Sequence, residues 1–535
     1  MANVIKYSTS NPSRPGLRRG NTVIGTGIEN YGPTSVTGYV SGIEVPLGGY
    51  VVYSLHNNNP TAYVAYNDND LIPIARTLGN TVETVEASKR FLAGNANTWI
   101  LDDNPRDIIT DDARLNLDVS VLSSYPRSGD TFYDLSGYNN NFPLNEVQFQ
   151  NGELVFDGTD SYAQASISSY NPDSAPSTMI VTFKAMDLGA GEQAIFSDNY
   201  GPEFGIWIHN NGSLRFVAYA SVYATITDAR YYHAVLTVTP GALKNNPNPT
   251  YVQGYLNGEL VGESQASTGN GMNDQPFTLG VDYKSGNFGN YFNGSIASAQ
   301  IYYSKLTQLQ ILQNYYGGPI VTEGLIRALD FSNLVCFESG NSQGYDLTGN
   351  DTFDLFNTPT VVRDFGGGIS CNDTDEFIAL TDKTPTDYVT VEVWYTRDSA
   401  SSGEDIVFNK EDCWEIRDDG GNILWAVKAN NQNWFWYDST ANIAVGETIQ
   451  FVLTYDGNYV KSYKNGELIQ TYTYPSGGVL ANQTSAYPKL NSRSTTRTSP
   501  SSLGDMTYFQ FRIYDRSLTD KEIMQNYNAY SSIFI

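Results

Sequence analysis

The chain has 535 residues, with 57 acidic against 31 basic side chains and a formal net charge of −26. That balance excludes a nucleic-acid groove and an anionic membrane as partners, and no apolar run reaches the roughly 18 residues that a spanning helix needs. MANVIKYS is followed by no apolar signal-peptide core, which points to synthesis in a cytoplasm.

In chain order, the first 28 residues form a basic arm. Lys6, Arg14, Arg18 and Arg19 meet no acidic side chain before Glu29. Such an arm is either a solvated, frayed terminus or a segment for docking to an acidic surface of the assembly, with Arg14, Arg18 and Arg19 as the docking candidates. Alternation in residues 36–66 predicts strands that turn at HNNNP. Asp68 or Asn69 is placed to cap a helix through LIPIARTL, stopped by Gly79. Thr84 is placed to open a second helix through VEASKRFLAG, stopped by Gly94. With a strand at TWILDD, residues 1–112 are expected to form a small α+β module.

The remainder of the chain is written twice. IYYSKLTQLQILQNYYG at 301–317 returns as IYDRSLTDKEIMQNYNA at 513–529, 212 positions later. RLNLD from Arg114 returns as IRALD from Ile326, and DLSGYNNNF from Asp134 as DLTGNDTFD from Asp346, at the same offset. YLNGEL from Tyr255 returns as YKNGEL from Tyr463. Solenoid and propeller units repeat every 20 to 50 residues or so, so this is duplication of a whole domain, over 113–318 and 319–535.

Tyr (39) and Gly (48) are abundant and charged residues make up only 16 % of the chain, which suits half-buried strands joined by tight turns. Each copy reads as short strands with turn signals about every 8 to 12 residues, the pattern of a β-sandwich. GIWIHNNGSLRFVAY from Gly205 is a predicted hairpin, with ILWAVKANNQNWFWY from Ile423 as its counterpart. Each copy should close with a short amphipathic helix over the sandwich edge. Leu309, Leu312 and Tyr316 share the apolar face in the first, and Ile523, Met524 and Tyr527 in the second. The predicted fold is mainly β, two tandem sandwiches after an α+β module. No heptad pattern marks a coiled coil, so assembly would rest on sandwich faces or on a lattice.

LNLDVSVLSSYPRSGDTFYDLSGYNNNF, LVFDGTDSYA and GSIASAQIYYSKLTQLQILQNY, in that order, resemble concanavalin A-like (laminin-G-like) jelly-roll domains. More narrowly, they resemble the version found in structural proteins of tailed bacteriophages, especially marine and cyanobacterial myoviruses. The second copy keeps ALDFS, DLTG, a blurred CNDTDEF and IYDRSLTDKEIMQNY, as a diverged sibling. The resemblance implies a protein of the virion, present in many copies and partnered by other capsid or tail proteins. It implies either a fibre or adhesin that binds a host-surface polysaccharide or receptor, or a decoration protein that reinforces the shell.

No catalytic residues are assigned. Glucanases of this fold set two carboxylates on one concave strand, and the nearest candidates are Glu411, Asp412 and Glu415. Alternation puts Glu411 and Glu415 on one face and Asp412 on the other, the first copy has no such cluster, and a solvated strand edge explains them. His56, His209 and His233 form no metal or nucleophile–base motif. Cys336, Cys371 and Cys413 are odd in number and unmatched in the first copy, so they are not a disulfide framework. The resemblance implies Ca²⁺ at the sandwich rim, for which Asp157 and Asp160, and Asn372, Asp373 and Asp375, are candidates. The acidic residue that relatives carry on the closing strand is replaced by Ala297 and Ser298, and by Thr507 and Tyr508, so a plain Asx turn is the competing reading. For a glycan, Trp434, Trp436 and Tyr437 with Asn433 offer rings that stack and an amide that reaches hydroxyls. Alternation sends Trp434 and Trp436 to one face and Phe435 and Tyr437 to the other, so one pair packs in a core or between domains.

Overall fold

The computed structural model describes residues 108–535, except for 122, 151–152, 168–174, 199–203, 240–249, 267–275, 285, 350, 363–366, 384, 386, 401–402, 430–433, 476, 482–485 and 535. Before residue 108 it describes the backbone of eight strands. The basic-arm candidates Arg14, Arg18 and Arg19 lie outside the described residues, as does Asn433.

Six of the early strands form one sheet, in the order Ile28–Tyr31, Val4–Tyr7, Tyr50–His56, Asn59–Tyr66, Leu71–Leu78 and Thr81–Ser88. The two helices expected after Asp68 and Thr84 are instead strands, paired from Leu71↔Ser88 to Leu78↔Thr81. The reason is legible in TVETVEAS, where β-branched residues alternate with period two, and in Pro73, which would break a helix interior.

The chain divides into two compact units, residues 1–105 with 110–306, and residues 106–109 with 307–535. Each contains a sandwich of two antiparallel sheets, and the strand order is the same in both. In the first, the front sheet runs Thr131–Phe132, Phe142–Asn145, Tyr162–Ala165, Phe277–Leu279, Gln193–Asp198, Phe204–Ile208, Leu214–Ala218, Ala220–Ala224. In the second it runs Gln343–Tyr345, Thr352–Phe356, Phe377–Leu380, Lys489–Leu490, Glu404–Lys410, Trp414–Asp419, Asn422–Val427, Phe435–Asn442. The back sheets centre on Ser177–Ala185 beside Asn293–Tyr302, and on Val389–Arg397 beside Met506–Tyr514. Even the irregularities repeat. β-bulges fall at Thr182/Phe183 and Trp394/Tyr395, and at Ala194/Phe196 and Ile406/Phe408. A bulge fixes register, because a slip of one residue turns every side chain to the wrong face.

The repeated motifs carry this scaffold. Asp134 accepts the N–H groups of Asn116, Ser136 and Asn140, tying its loop to the opening strand. Asp346 does the same for Ala328 and Thr348. In the NG turns both residues have positive φ, 51° and 82° at Asn257–Gly258 and 53° and 80° at Asn465–Gly466, as a two-residue hairpin of this type requires. Cys336 takes the place of Ser124. The Ser124 hydroxyl accepts the Asp118 N–H at 3.1 Å, and the Cys336 sulfur accepts the Asp330 N–H at 3.3 Å.

The helices are α1 (Gln308–Tyr316) and α2 (Asp520–Phe534). Each opens on a reciprocal cap, Thr307 with Gln310 and Thr519 with Glu522. On α1 the buried face is Ile311, Asn314, Tyr315 and Tyr316, whereas Leu309 is exposed, because the cap sets Leu309 on the outer side of the first turn. α1 belongs to the second unit, where the Tyr315 hydroxyl donates to Leu347 O and Tyr530 to Tyr316 O. α2 covers the back sheet of the second sandwich through a buried polar node. Arg512, Gln450 and Asn526 all donate to Glu392, at 2.7, 2.9 and 2.7 Å.

This packing sets two expectations for stability. Glu392→Ala strands Arg512 without its counter-charge and should cost about 3–5 kcal/mol, read as a lowered urea midpoint for one unfolding transition while the other stays put. Cys336→Ser installs the group that the first copy already uses and should cost less than about 1.5 kcal/mol in the same experiment.

Candidate functional site

The strand Phe435–Asn442 lies at the edge of the second front sheet, and its pairing partner sets its faces. Phe435, Trp436, Tyr437 and Asp438 stand opposite Val427, Ala426, Trp425 and Leu424. Tyr437 turns inward, 4.5 Å from the fully buried Trp425 and 4.4 Å from Tyr472 between ring centroids. Phe435 meets Tyr474 edge-on at 5.2 Å. Tyr437 therefore seals the open edge of the core and does not join the aromatic surface expected of it, since alternation gives it the opposite side from Trp436. Trp434 and Trp436 share the outer face, their rings stacked 6.0 Å apart at 25°, and Trp436 is 40 % exposed.

A chain of charges continues from this pair across the face. The Arg417 guanidinium lies 4.3 Å from the Trp436 ring centroid, a favourable seat for a cation. Arg417 Nη1 donates to Glu404 Oε1 at 2.5 Å, and Arg493 Nη1 donates to Glu404 Oε2 at 3.3 Å. Arg493 also forks onto Glu415, with Nε 2.8 Å from Oε2 and Nη2 on Oε1, and Asn409 Nδ2 donates to Glu415 at 2.7 Å. Arg493 arrives on the segment between the last two strands, which doubles back over the sheet. There Lys489 donates to the carbonyls of Ser494 and Thr496, and Arg497 forks onto Asp354. Burial pulls the Lys489 ammonium down to about 8, against the opposing field of Glu411.

Glu415 is not on a solvated edge as expected. It sits on an interior strand of the sheet and is buried. Glu411 lies in the neighbouring turn, 3.4 Å from Asn409 Nδ2, and Asp412 holds a left-handed conformation and pairs with Lys428 at 2.7 Å. With both Glu415 oxygens bound to a guanidinium, no lone pair is left free for acid–base work.

In the first sandwich the same places hold other residues. Strand order and the shared bulge put Ala220–Ala224, not Leu214–Ala218, in the position of Phe435–Asn442. The counterpart of the Ile423 hairpin is accordingly one hairpin further along than GIWIHNNGSLRFVAY, since two Asn-rich turns in succession look alike in sequence. Ser221 stands for Trp436, Trp207 for Arg417 and Gly205 for Glu415. A Cβ at Gly205 would lie 2.5 Å from the carbonyl oxygen of Phe196. On this edge Tyr223 is exposed and meets His209 edge-on at 5.4 Å.

The calcium candidates form turns. Asp157 accepts from the N–H and hydroxyl of Thr159, the N–H of Asp160, and the N–H and hydroxyl of Ser161. Burial would raise this carboxyl, but those hydrogen bonds outweigh it and hold the carboxyl well below the usual range. Asn372 serves Thr374, Asp375 and Glu376 in the same way, with Asp373 and Asp375 inside the turn. Asp160 and Asp375 contribute their carbonyls, to Asn145 and Asn357. Among the described residues no three His, Cys, Asp or Glu side chains converge on a cation position, so this donor set does not fit Ca²⁺. A groove of about 610 Å³ runs along α2 past Pro319, Lys521 and Met524, and shares no residue with the aromatic rim.

Arg417, Glu404 and Arg493 carry no signal that marks them out in the sequence. Alternation alone places Arg417 beside Glu415, but Arg493 comes from 78 residues away in a Ser/Thr-rich stretch with no local pattern. Burial raises the Glu415 carboxyl above its usual value and the Arg493 fork offsets that rise, while Glu415 in turn pushes Arg493 further up. Arg493→Gln removes the offset and lifts Glu415 further. A carboxyl whose folded pKa exceeds its unfolded value stabilises only where it is protonated, and that stability is lost as pH rises through the folded value. The deficit of Arg493→Gln in melting temperature should therefore be small near pH 4 and grow towards pH 7, measured by calorimetry across that range.

No curated protein sequence matches the chain. Among solved structures, the binding domain of Paraclostridial Mosquitocidal Protein 1 is similar at 16 % identity and a TM-score of 0.32, over 39 % of this chain and 52 % of that one. A structure of botulinum neurotoxin type C, whose cell entry depends on two ganglioside molecules, is similar at 13 % and 0.31, over 39 % and 51 %. The binding domain of botulinum neurotoxin serotype D gives 15 % and 0.30, over 38 % and 51 %. The chain spans about half the length of these structures. The profile of the concanavalin A-like lectin/glucanases superfamily matches residues 157–312 and again 372–524, more than half of the chain. With two sandwiches of identical strand order behind those matches, the chain belongs, twice over, to the concanavalin A-like lectin/glucanases superfamily.

Proposed function

We propose that this chain is a non-enzymatic binding protein of a bacteriophage particle, displayed on its surface as a fibre or adhesin component, whose second sandwich contacts a host-surface glycan. The observation that carries the glycan reading is the Trp434–Trp436 stack at the rim of the second front sheet, with Trp436 open to solvent in a superfamily of lectins and glucanases. An indole presents a flat apolar surface for the C–H face of a sugar, and its neighbours Arg417, Glu404 and Asp438 supply donors and acceptors for hydroxyls. The virion context rests on the ordered motifs shared with phage structural proteins and on the basic arm. The engagement of Glu415 by Arg493 supports binding over hydrolysis.

A second reading, decoration of capsid or tail without glycan binding, is favoured by the segment that straps Arg493 and Arg497 over the sheet face, because it fills much of the groove in which a long glycan would lie. Cryo-electron microscopy of purified particles separates the two. Density for paired sandwiches at fibres or tail tip agrees with the adhesin, repeated density over the capsid or tube with decoration, and absence from the particle with neither. For the glycan, Trp436→Ala should weaken binding to host polysaccharide about tenfold, the equivalent of one lost aromatic contact of about 1.4 kcal/mol. Equal binding by the variant in a surface-polysaccharide titration would remove the rim from consideration.

A further inference from the structure

The charges beside the Trp436 rim narrow the kind of sugar that fits it. Two guanidinium groups converge there on a single carboxylate, Arg417 Nη1 on Glu404 Oε1 at 2.5 Å and Arg493 Nη1 on Glu404 Oε2 at 3.3 Å. The two acids of this ladder are not alike. The Glu415 side chain is 2 % exposed and held by the rest of Arg493, whereas the Glu404 side chain is 46 % exposed. An ion pair with that much solvent around it is weakly held, so Glu404 is the exchangeable member. Its departure would leave the fork in place, because Glu415 anchors Arg493 and the Trp436 ring seats Arg417. Arg417 Nε is buried with no hydrogen-bond partner, which leaves a further donor at the same spot.

A planar carboxylate matches paired guanidinium donors better than a neutral hydroxyl does. Here the fork stands beside an exposed indole, so a ring that carries the carboxylate would reach both. Resting on the glycan reading above, we propose that the ligand of the second sandwich is a carboxylated sugar of the uronate type, and that Glu404 is an internal stand-in for its carboxylate. The first sandwich supplies the contrast within one chain. With Trp207 and Gly205 in the places of Arg417 and Glu415, it has no such fork.

The test uses the full chain and three polysaccharides, namely alginate, polygalacturonate and polygalacturonate with its carboxyl groups reduced to alcohols. Calorimetric titration at about 0.15 M salt shortens the screening length to about 8 Å, which removes most of the long-range repulsion from the −26 charge. Wild type should bind at least one of the two acidic polymers about tenfold more tightly than the reduced one. Glu404→Gln should tighten that binding about threefold or more, since the internal competitor is gone, and Arg417→Gln should weaken it about tenfold. Thermal melts verify that the variants fold, and if Arg417→Gln does not, Glu404→Gln decides alone. Equal affinity for acidic and reduced polymer, or no gain in Glu404→Gln, overturns the uronate assignment. If Trp436→Ala still weakens binding in that case, the glycan reading survives. No binding to any of the three by wild type and Glu404→Gln overturns the uronate assignment, and a further failure on host polysaccharide overturns the glycan reading as well.

Discussion

A carboxylate taken out of water must be met by a cation and by hydrogen bonds, and the second sandwich is organised around three that obey this rule. Asp346 faces the fully buried Arg327 at 3.3 Å and holds the opening strand. Glu392 faces Arg512 and fastens α2 to the back sheet. Glu415 faces Arg493 and draws the last loop across the front sheet. Each pair joins segments far apart in sequence, so together they decide which parts of the sandwich are covered and which remain open. What remains open beside the third is the edge strand with Trp436.

The first sandwich reaches the same topology with fewer buried ions. Its Asp134 clamp has the same geometry as that of Asp346, but Ile180 occupies the place of Glu392, and Gln300 that of Arg512. The framework common to both copies is thus made of strand order, bulges and Asx turns, and the charged nodes are additions of the second copy. Surface chemistry has diverged most where the front sheet faces solvent.

Much of this is legible in the chain itself. Period-two alternation separates Trp436 from Tyr437, and the 212-residue offset aligns Asp134 with Asp346 and the two QNY segments, whose Asn314 and Asn526 each accept a backbone N–H from 205 residues upstream. Other features lie beyond local pattern. LIPIARTL has helix-like spacing, yet it pairs with the alternating TVETVEAS, and pairing is decided between segments. The hairpin equivalence is misleading in sequence because one Asn-rich turn resembles the next, and only the bulge at Ile406/Phe408 fixes the count. The carboxylate fork joins residues 404, 417 and 493, and no window of sequence contains it.

Gly205 gives the division between the copies a direction in time. Its α-carbon faces the Phe196 carbonyl so closely that any side chain would collide, so the first sandwich cannot gain a carboxylate at the Glu415 position by one substitution. It would need the bulged neighbour strand to move first, and that bulge sets the register of the whole sheet. Once the ancestral pair of domains differed at this point, exchange of roles by stepwise mutation was closed off. Later adaptation to a new surface is then channelled into the second sandwich, where the rim and its charges can vary without disturbing the frame.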